Sequence, residues 1–274
     1  MPLSLSGARV RLRALEARDI DALLVAYRDF DLQLTTDGDA PPLSDLQVRD
    51  LWEGIIGDPG PDLRYFAIDR LDGSGQMVGA CSLQHIDLRN RNAELSIFMV
   101  SKEGRGQGYG TEAVNLLMDY AFEVVRVDRL YLGVYDFNEA GLRAYERAGF
   151  RYEGRHRNAL YYEGRYHDEW TMSVLREEWA RYRQPPADGL RPYHPADYQP
   201  ALALLERLLP ATDREAARAV LRRWWRLPGH TLYGYQVDGA LIGLVALPEE
   251  NTGAVPGLVA EDQYRAMIEA AAKD

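Results

Sequence analysis

IFMVSKEGRGQGYGTEAV, Ile97 to Val114, sets the terms for everything around it. Its first part, with NAEL before it, is rich in β-forming residues and reads as the end of a strand. Its last part opens a helix, because Ala113, Val114, Leu116, Leu117, Tyr120, Ala121 and Val124 share one apolar face. Between them lies GRGQGYG, Gly104 to Gly110. A glycine loop opening a helix offers several unpaired N–H groups to an anion. A P-loop is excluded, because its lysine is missing. A dinucleotide fingerprint fails in both registers, since Tyr109 or Thr111 stands where its last glycine belongs. The pattern that fits is [R/Q]-x-x-G-x-[G/A], met by Arg105, Gly108 and Gly110.

Outward from the loop, the chain reads as a mixed α/β protein. ARVRLRAL (Ala8 to Leu15) alternates as a strand. Asp19 is expected to cap a helix, DIDALLVAYRDF, and a loop, TDGDAPPLSD, precedes a second helix, LQVRDLWEGI. RYFAIDR and QMVGACSLQHI form a hairpin through LDGSG. Beyond the loop come RLYLGVY as a strand, NEAGLRAYERAG as a helix, and FRYEGRHR and TMSVLREEW as strand material. This order predicts a central sheet with helices on its faces.

The composition breaks at RQPPADG, Arg183 to Gly189, a linker between residues 1–184 and 185–274. Past it, LRPYHPADYQPAL echoes LRALEARDIDAL. Leu190 and Arg191 repeat Leu12 and Arg13, and Asp197 repeats Asp19. Two helical stretches follow, then the strands LYGYQVDG and ALIGLVAL and a final helix, EDQYRAMIEAAA, with no second glycine loop. The C-terminal part therefore reads as a partial second copy.

The formal charge of -10 argues against nucleic acid and suits either plain solubility or a cationic partner. One cysteine, Cys81 in the run MVGACSL, excludes an intrachain disulfide and reads as a buried thiol in a cytoplasmic setting. No apolar run approaches the ~20 residues of a membrane span. The five histidines lack metal-ligand spacing and read as surface or satisfied side chains, so no metal is expected.

Three motifs in order carry a resemblance. IFMVSKEGRGQGYGTEA resembles the acetyl-CoA-binding motif of the GNAT acyltransferase superfamily. NEAGLRAYERAGF is similar to its N-x-x-S-x-x-[LA]-Y-x-x-x-G-F motif. YEGRHRNALYYEGRYHDEWTMSVLREEW resembles the ending of the branch that acetylates protein N-termini, including ribosomal proteins. The likeness runs from about Ala8 to Tyr182. It implies a GNAT fold with a central, mostly antiparallel sheet, followed by a smaller partial GNAT-like unit without its own cofactor loop.

The resemblance also implies a site. Arg105, Gly106, Gln107, Gly108, Tyr109, Gly110 and Thr111 would hold the pyrophosphate of acetyl-CoA. Phe98, Met99 and Val100 would run beside the pantetheine, with the backbone of Phe98 and Val100 pairing with it, and Asn138 would contact it or order water near it. Tyr145 matches the family's general acid, with packing in its helix as the alternative. Glu94 matches a glutamate base, with a structural carboxylate as the alternative. Asp168 and Glu169 read as structural. Tyr161, Tyr162, Tyr166 and Trp170 form either core packing or the rim of an acceptor site; Trp224 and Trp225 read as helix packing. Gly141 departs from the family's serine and cannot bond a leaving thiolate. The implied activity is acetyl transfer from acetyl-CoA to a primary amine, of a protein N-terminus or a small molecule. The alternative is a non-catalytic acyl-CoA-binding or sensing module, which Gly141 and the truncated second half keep open. Homodimerisation is one role open to the C-terminal segment.

Overall fold

The computed structural model describes residues 4–37, 42–100, 106–208, 213–227 and 230–248. The chain divides into two compact units. One comprises Met1–Phe150 and Gly154–Ala180, the other Arg181–Asp274 together with Arg151–Glu153.

In the first unit seven strands form one sheet: β1 (Val10–Ala14), β2 (Arg64–Arg70), β3 (Met77–Asp87), β4 (Asn92–Met99), β5 (Arg129–Tyr135), β6 (Arg151–Tyr162) and β7 (Arg165–Leu175). Their order is β1-β2-β3-β4-β5-β7-β6. The pairs β1–β2, β2–β3, β3–β4 and β5–β7 are antiparallel, and β4–β5 is parallel. The β2–β3 hairpin turns where LDGSG predicts it, with Asp72 Oδ1 accepting the Ser74 amide at 3.0 Å. Among the described helices, none is long and apolar enough to cross a membrane.

Helices α1 (Ile20–Tyr27), α2 (Phe30–Asp37) and α3 (Asp45–Gly57) follow β1. Ser44 caps α3 by accepting the Gln47 amide. Trp52 of α3 is 2% exposed. It packs edge-on against Tyr65, with ring centroids 5.1 Å apart, beside Leu23, Ala67 and Ala80. Burying this ring against α1 and the sheet contributes about 2–3 kcal/mol. Helix α4 (Tyr109–Tyr120) buries Ala113, Val114, Leu116 and Leu117 of the expected face and Met118 besides, whereas Val124 of that face is 50% exposed. A π turn, Ala121–Val125, ends it. Helix α5 (Glu139–Ala148) stops at Gly149, which takes φ 95°. Cys81 is buried in β3, and desolvation pushes its thiol well above the usual range.

Four expectations are corrected. The first helix is shorter than DIDALLVAYRDF, ending at Tyr27, and a further helix, α2, begins at Phe30, where Asp29 Oδ1 accepts the Leu32 amide. Asp19 does not cap the helix that follows. Its carboxylate turns back to accept the Glu16 amide at 2.9 Å and both terminal nitrogens of Arg13 at 2.7 and 2.8 Å. REEW is not strand: β7 ends at Leu175, whose amide donates to Glu178 Oε2 at 3.0 Å, and α6 (Arg176–Tyr182) begins there. The hairpin β6–β7 is also longer than FRYEGRHR and TMSVLREEW suggest, with its turn at Glu163–Gly164.

The second unit holds β8 (Gly189–Pro192), α7 (Tyr198–Leu208), α8 (Arg214–Trp225), β9 (His230–Val237) and β10 (Ala240–Pro248). The sheet order is β10-β9-β8, antiparallel throughout. Its core gathers Tyr198, Leu202, Leu205, Leu221, Trp224, Leu232 and Leu244, with Trp225 packed against it. The expected helix EDQYRAMIEAAA lies outside the described residues.

Candidate active site

Strands β4 and β5 pair at three positions only: Asn92↔Arg129, Ala93↔Leu130 and Glu94↔Tyr131. Beyond these, β4 runs on to Met99 along β3 and β5 runs on to Tyr135 along β7. The two strands part, and a cleft of about 820 Å³ opens beside them.

The sequence-predicted residues divide around this cleft. Glu94, Phe98 and Met99 of β4 line it, as do Gly106, Gly108, Tyr109, Gly110 and Thr111 at the start of α4. Asn138 and Tyr145 line it from α5. Gln107 holds the loop, its carbonyl accepting Arg9 Nη1 at 3.1 Å. Arg105 lies outside the described residues. Val100 does not line this cleft. Its amide donates to Val78 O at 3.0 Å, so it is already committed to β3. The two-residue alternation of an antiparallel ladder then turns the Phe98 amide toward β3 as well. The backbone groups of Ile97 and Met99 face the gap instead. The backbone edge left free beside the gap is therefore that of Ile97 and Met99, not of Phe98 and Val100.

The loop is built for close approach. Gly106 and Gly108 adopt φ 77° and 81°, where other residues are strained. At Gly106 and Gly110 a Cβ would project into open space. Gly108 sits at the N-cap of α4, leaving the first amides of the helix unbonded within it. Arg9 clamps the arrangement: its own amide donates to Glu112 Oε1 at 3.0 Å, while its guanidinium bonds the loop.

Tyr145 is 6% exposed, and burial pushes its phenol well above the usual range. It remains protonated at neutral pH, a hydrogen donor facing the cleft. Asn138 spends its Oδ1 on the Gly141 amide, at 2.9 Å, as the N-cap of α5. A Cβ at Gly141 would meet Asn138 side-chain atoms at 2.9–3.1 Å. A side chain at this position would require Asn138 to shift.

Glu94 accepts or shares a hydrogen with His85 Nδ1 at 2.8 Å. His85 sits in a β-bulge, where the register shifts between Gln84 and Asp87, with φ 48°. The bulge re-aims the imidazole onto Glu94. Other acidic and aromatic groups complete the lining: Asp31, Tyr135, Phe137, Tyr162 and Glu169. Tyr162 donates to Asp31 Oδ1 at 2.7 Å, and that bond, with a smaller effect of desolvation, pushes its phenol up to about 12. Tyr135 and Phe137 stack with centroids 5.7 Å apart. Of the aromatic cluster, Tyr162 lines the cleft, whereas Tyr161 and Tyr166 are exposed. Asp168 does bond backbone, accepting the Asn158 amide at 2.8 Å. Glu169 instead turns into the cleft.

The sequence-based reading missed Asp31, Tyr135, Phe137 and Glu169 as site residues. Tyr135 does sit at the end of the strand it predicts, but its exposure to the cleft follows only from the parting of β4 and β5.

A family model for the acetyltransferase (GNAT) domain matches residues 9–151. The chain belongs to this family. It is an acetyltransferase by descent and by fold. Among curated relatives, the putative ribosomal N-acetyltransferase of Bacillus subtilis is 37% identical over 38% of this chain and 57% of its own length. The spermidine N(1)-acetyltransferase of Escherichia coli is 30% identical over 54% of this chain and 76% of its own length. Among solved structures, the spermidine N-acetyltransferase of Vibrio cholerae in complex with CoA and spermine aligns with a TM-score of 0.57. It is 25% identical, covering 64% of this chain and 99% of that one.

Proposed function

We propose that the cleft binds acetyl-CoA and transfers its acetyl group to the primary amine of a small cationic molecule. Acetyl-CoA brings an activated acetyl thioester. The open glycine cradle from Gly106 to Gly110 fits a pyrophosphate, with the first amides of α4 as donors and the helix dipole adding about 0.3–1 kcal/mol. The free backbone edge at Ile97 and Met99 fits the amides of the pantetheine arm as an added strand. An N–H from that edge, aimed at the thioester carbonyl, stabilises the charge that develops there.

Glu94 is the group that receives the proton released by the attacking amine, directly or through one water. Its carboxylate is held in place by His85. As the new C–N bond forms and the C–S bond breaks, Tyr145 hydrogen-bonds the departing sulfur and supplies its proton. Gly141 leaves Tyr145 as the donor on α5 for that task. Orientation of the two reactants in one cleft accounts for much of the remaining acceleration.

The observation that carries the acceptor class is the lining: Asp31, Glu94 and Glu169 with the Tyr135–Phe137–Tyr162 wall. Carboxylates attract a protonated amine, and aromatic faces add about 0.5–2 kcal/mol for each desolvated cation. The likeness to spermidine acetyltransferases supports the same class. A protein N-terminus is the second reading, favoured by the B. subtilis relative. The C-terminal segment, from residue 185, acts as a partial GNAT-like unit without its own acetyl-CoA site.

Thiol release from acetyl-CoA, measured over polyamines, monoamines and N-terminal peptides, tests the reading. Turnover of polyamines well above peptides supports it. Preference for peptides selects the second reading, and tight acetyl-CoA binding without turnover of any amine selects a sensor. Tyr145→Phe is expected to lower kcat about 100-fold or more while the Kd for acetyl-CoA stays within about twofold. An unchanged kcat removes Tyr145 from this role.

A further inference from the structure

Glycine in the middle of a strand weakens it, and one at a functional site marks close approach of another group. Gly133 lies inside β5, between two tyrosines that share its face. Tyr131, Gly133 and Tyr135 point to the same side of the sheet by the alternation of a strand. On that side Glu94 stands opposite Tyr131 in β4, and Glu169 stands opposite Tyr135 in β7. Glu169 does not stay over its own partner. Its Oε1 occupies the space that a Cβ on Gly133 would take, with Cδ 3.1 Å from that position. Gly133 lies diagonally from it, since its own partner in β7 is Thr171. The carboxylate thus leans back along the sheet, toward the Glu94 end of the cleft.

The carboxylate is also held from behind. His156 Nδ1 lies 3.2 Å from Glu169 Oε2, while Oε1 is the atom seated over Gly133. Glu169 is 29% exposed and His156 is 68% exposed, so the pair reaches solvent on the histidine side. Tyr135 flanks it, its phenol raised first by desolvation and then by the Glu169 charge. Two arginines, Arg143 and Arg147, also line the cleft, and Arg143 is paired with Glu139 at 3.5 Å. This is the same construction as His85 on Glu94: a histidine fixes one oxygen of a cleft carboxylate.

We propose that Gly133 and Glu169 form a subsite for a second positive charge on the acceptor, with His156 as the positioning residue. The proposal rests on the amine-acetylation reading above and specifies which amines the cleft prefers. Glu94 serves the nitrogen that reacts, and Glu169 holds a nitrogen that does not. The Glu169 carboxylate, seated over Gly133 of β5, lies about one strand spacing (about 5 Å) across from the strand of Glu94 and about 7 Å along it, or about 9 Å in all. A short diamine, with a contact of about 3 Å at each end, reaches both carboxylates.

The experiment compares 1,4-diaminobutane with pentylamine, a monoamine of similar length, as acceptors for the full chain. Glu169→Gln is expected to raise KM for the diamine at least tenfold more than for the monoamine, with kcat on the diamine within about twofold. Gly133→Ala should shift the diamine KM in the same direction, because the new Cβ displaces a carboxylate that the variant still contains. His156→Gln should produce a smaller shift of the same kind. Equal effects on both acceptors, or none on either, overturn the proposal. Should no amine turn over, the acetyl-transfer reading fails. Calorimetric binding of 1,4-diaminobutane to wild type and Glu169→Gln then still decides the subsite: tenfold weakening supports it, and unchanged binding overturns it.

Discussion

The two units begin in the same way and end differently. In the first, Arg13 of β1 grips Asp19 with both terminal nitrogens, at 2.7 and 2.8 Å, and the Glu16 amide donates to the same carboxylate at 2.9 Å. In the second, Arg191 of β8 grips Asp197 at 2.7 and 2.8 Å, and the His194 amide donates at 2.8 Å. Each aspartate ends a short 3-10 turn that leads into a helix. Each arginine also reaches the neighbouring strand, touching Asp69 of β2 or Gln236 of β9. These partners occupy matching registers, since Arg13 stands opposite Ala67 and Arg191 opposite Gly234. The echo seen in sequence between Leu12–Arg13 and Leu190–Arg191 is therefore an echo of one bonding pattern.

The difference lies beyond the echo. The first unit continues through β3 into a strand that leaves its neighbour, and the glycine loop and cleft are built there. Among the described residues the second unit stops at β10, with no counterpart of that gap. What is shared between the units is the pin that fixes strand to helix; what is unshared is the chemistry. A second contrast is charge. Asp69 is buried and accepts from both Arg11 and Arg13, whereas Gln236 offers Arg191 a neutral oxygen.

Breaking the pins gives the largest expected effect. Asp197→Ala leaves Arg191, which is 14% exposed, with only the neutral oxygen of Gln236, and should cost about 3–5 kcal/mol. Asp19→Ala leaves Arg13, which is 16% exposed, still paired with Asp69, and should cost less. Hydrogen exchange should show the loss in β8–β9 for the first variant and in β1–β2 for the second. The burial of Asp19 by itself would raise its carboxyl. The Arg13 and Glu16 donors more than offset this and hold it below the usual range.

A smaller effect separates the units by pH. His194 accepts the Ala196 amide through Nδ1 at 3.0 Å and meets Tyr182 O through Nε2 at 3.1 Å, which fits a neutral ring. Desolvation lowers its value from 6.5, and the nearby Asp197 charge opposes that only in part. The folded state therefore favours the neutral form. This contribution is fully present above pH 6.5 and is lost as pH falls through the lowered value. Glu16 occupies the matching place in the first unit, so this protonation step has no counterpart there. Exchange protection of β8–β9 should fall as the pH drops below about 6.5, and His194→Gln should flatten the change. An equal slope in the variant contradicts it.

Much of the scaffold was legible because the signals were local. The glycine loop, the apolar face of α4 and the β2–β3 turn each depend on neighbours in sequence. Helix α2 was hidden because its start hangs on one side chain, Asp29, inside what reads as a continuing helix. Asp19 looked like a cap because its type and position suit one, yet its partner Arg13 lies across the turn. Site residues were legible where a motif carried them, as with Tyr145, Asn138 and Gly108. Glu169 was not, because its place in the cleft depends on a gap left by Gly133 on another strand. His85 was not, because a bulge in β3 decides where it points. The shift from Phe98 and Val100 to Ile97 and Met99 needed the register of β3 on β4, which spacing alone does not reveal.

The central claim is that the repeated part of the chain carries scaffold and the unrepeated cleft carries the reaction. Calorimetric titration of the full chain with acetyl-CoA tests it most directly. The account predicts a single class of site, one acetyl-CoA per chain, that Asp197→Ala leaves within about twofold of its original affinity. Two acetyl-CoA molecules per chain, or a site abolished by Asp197→Ala in a folded first unit, would contradict it.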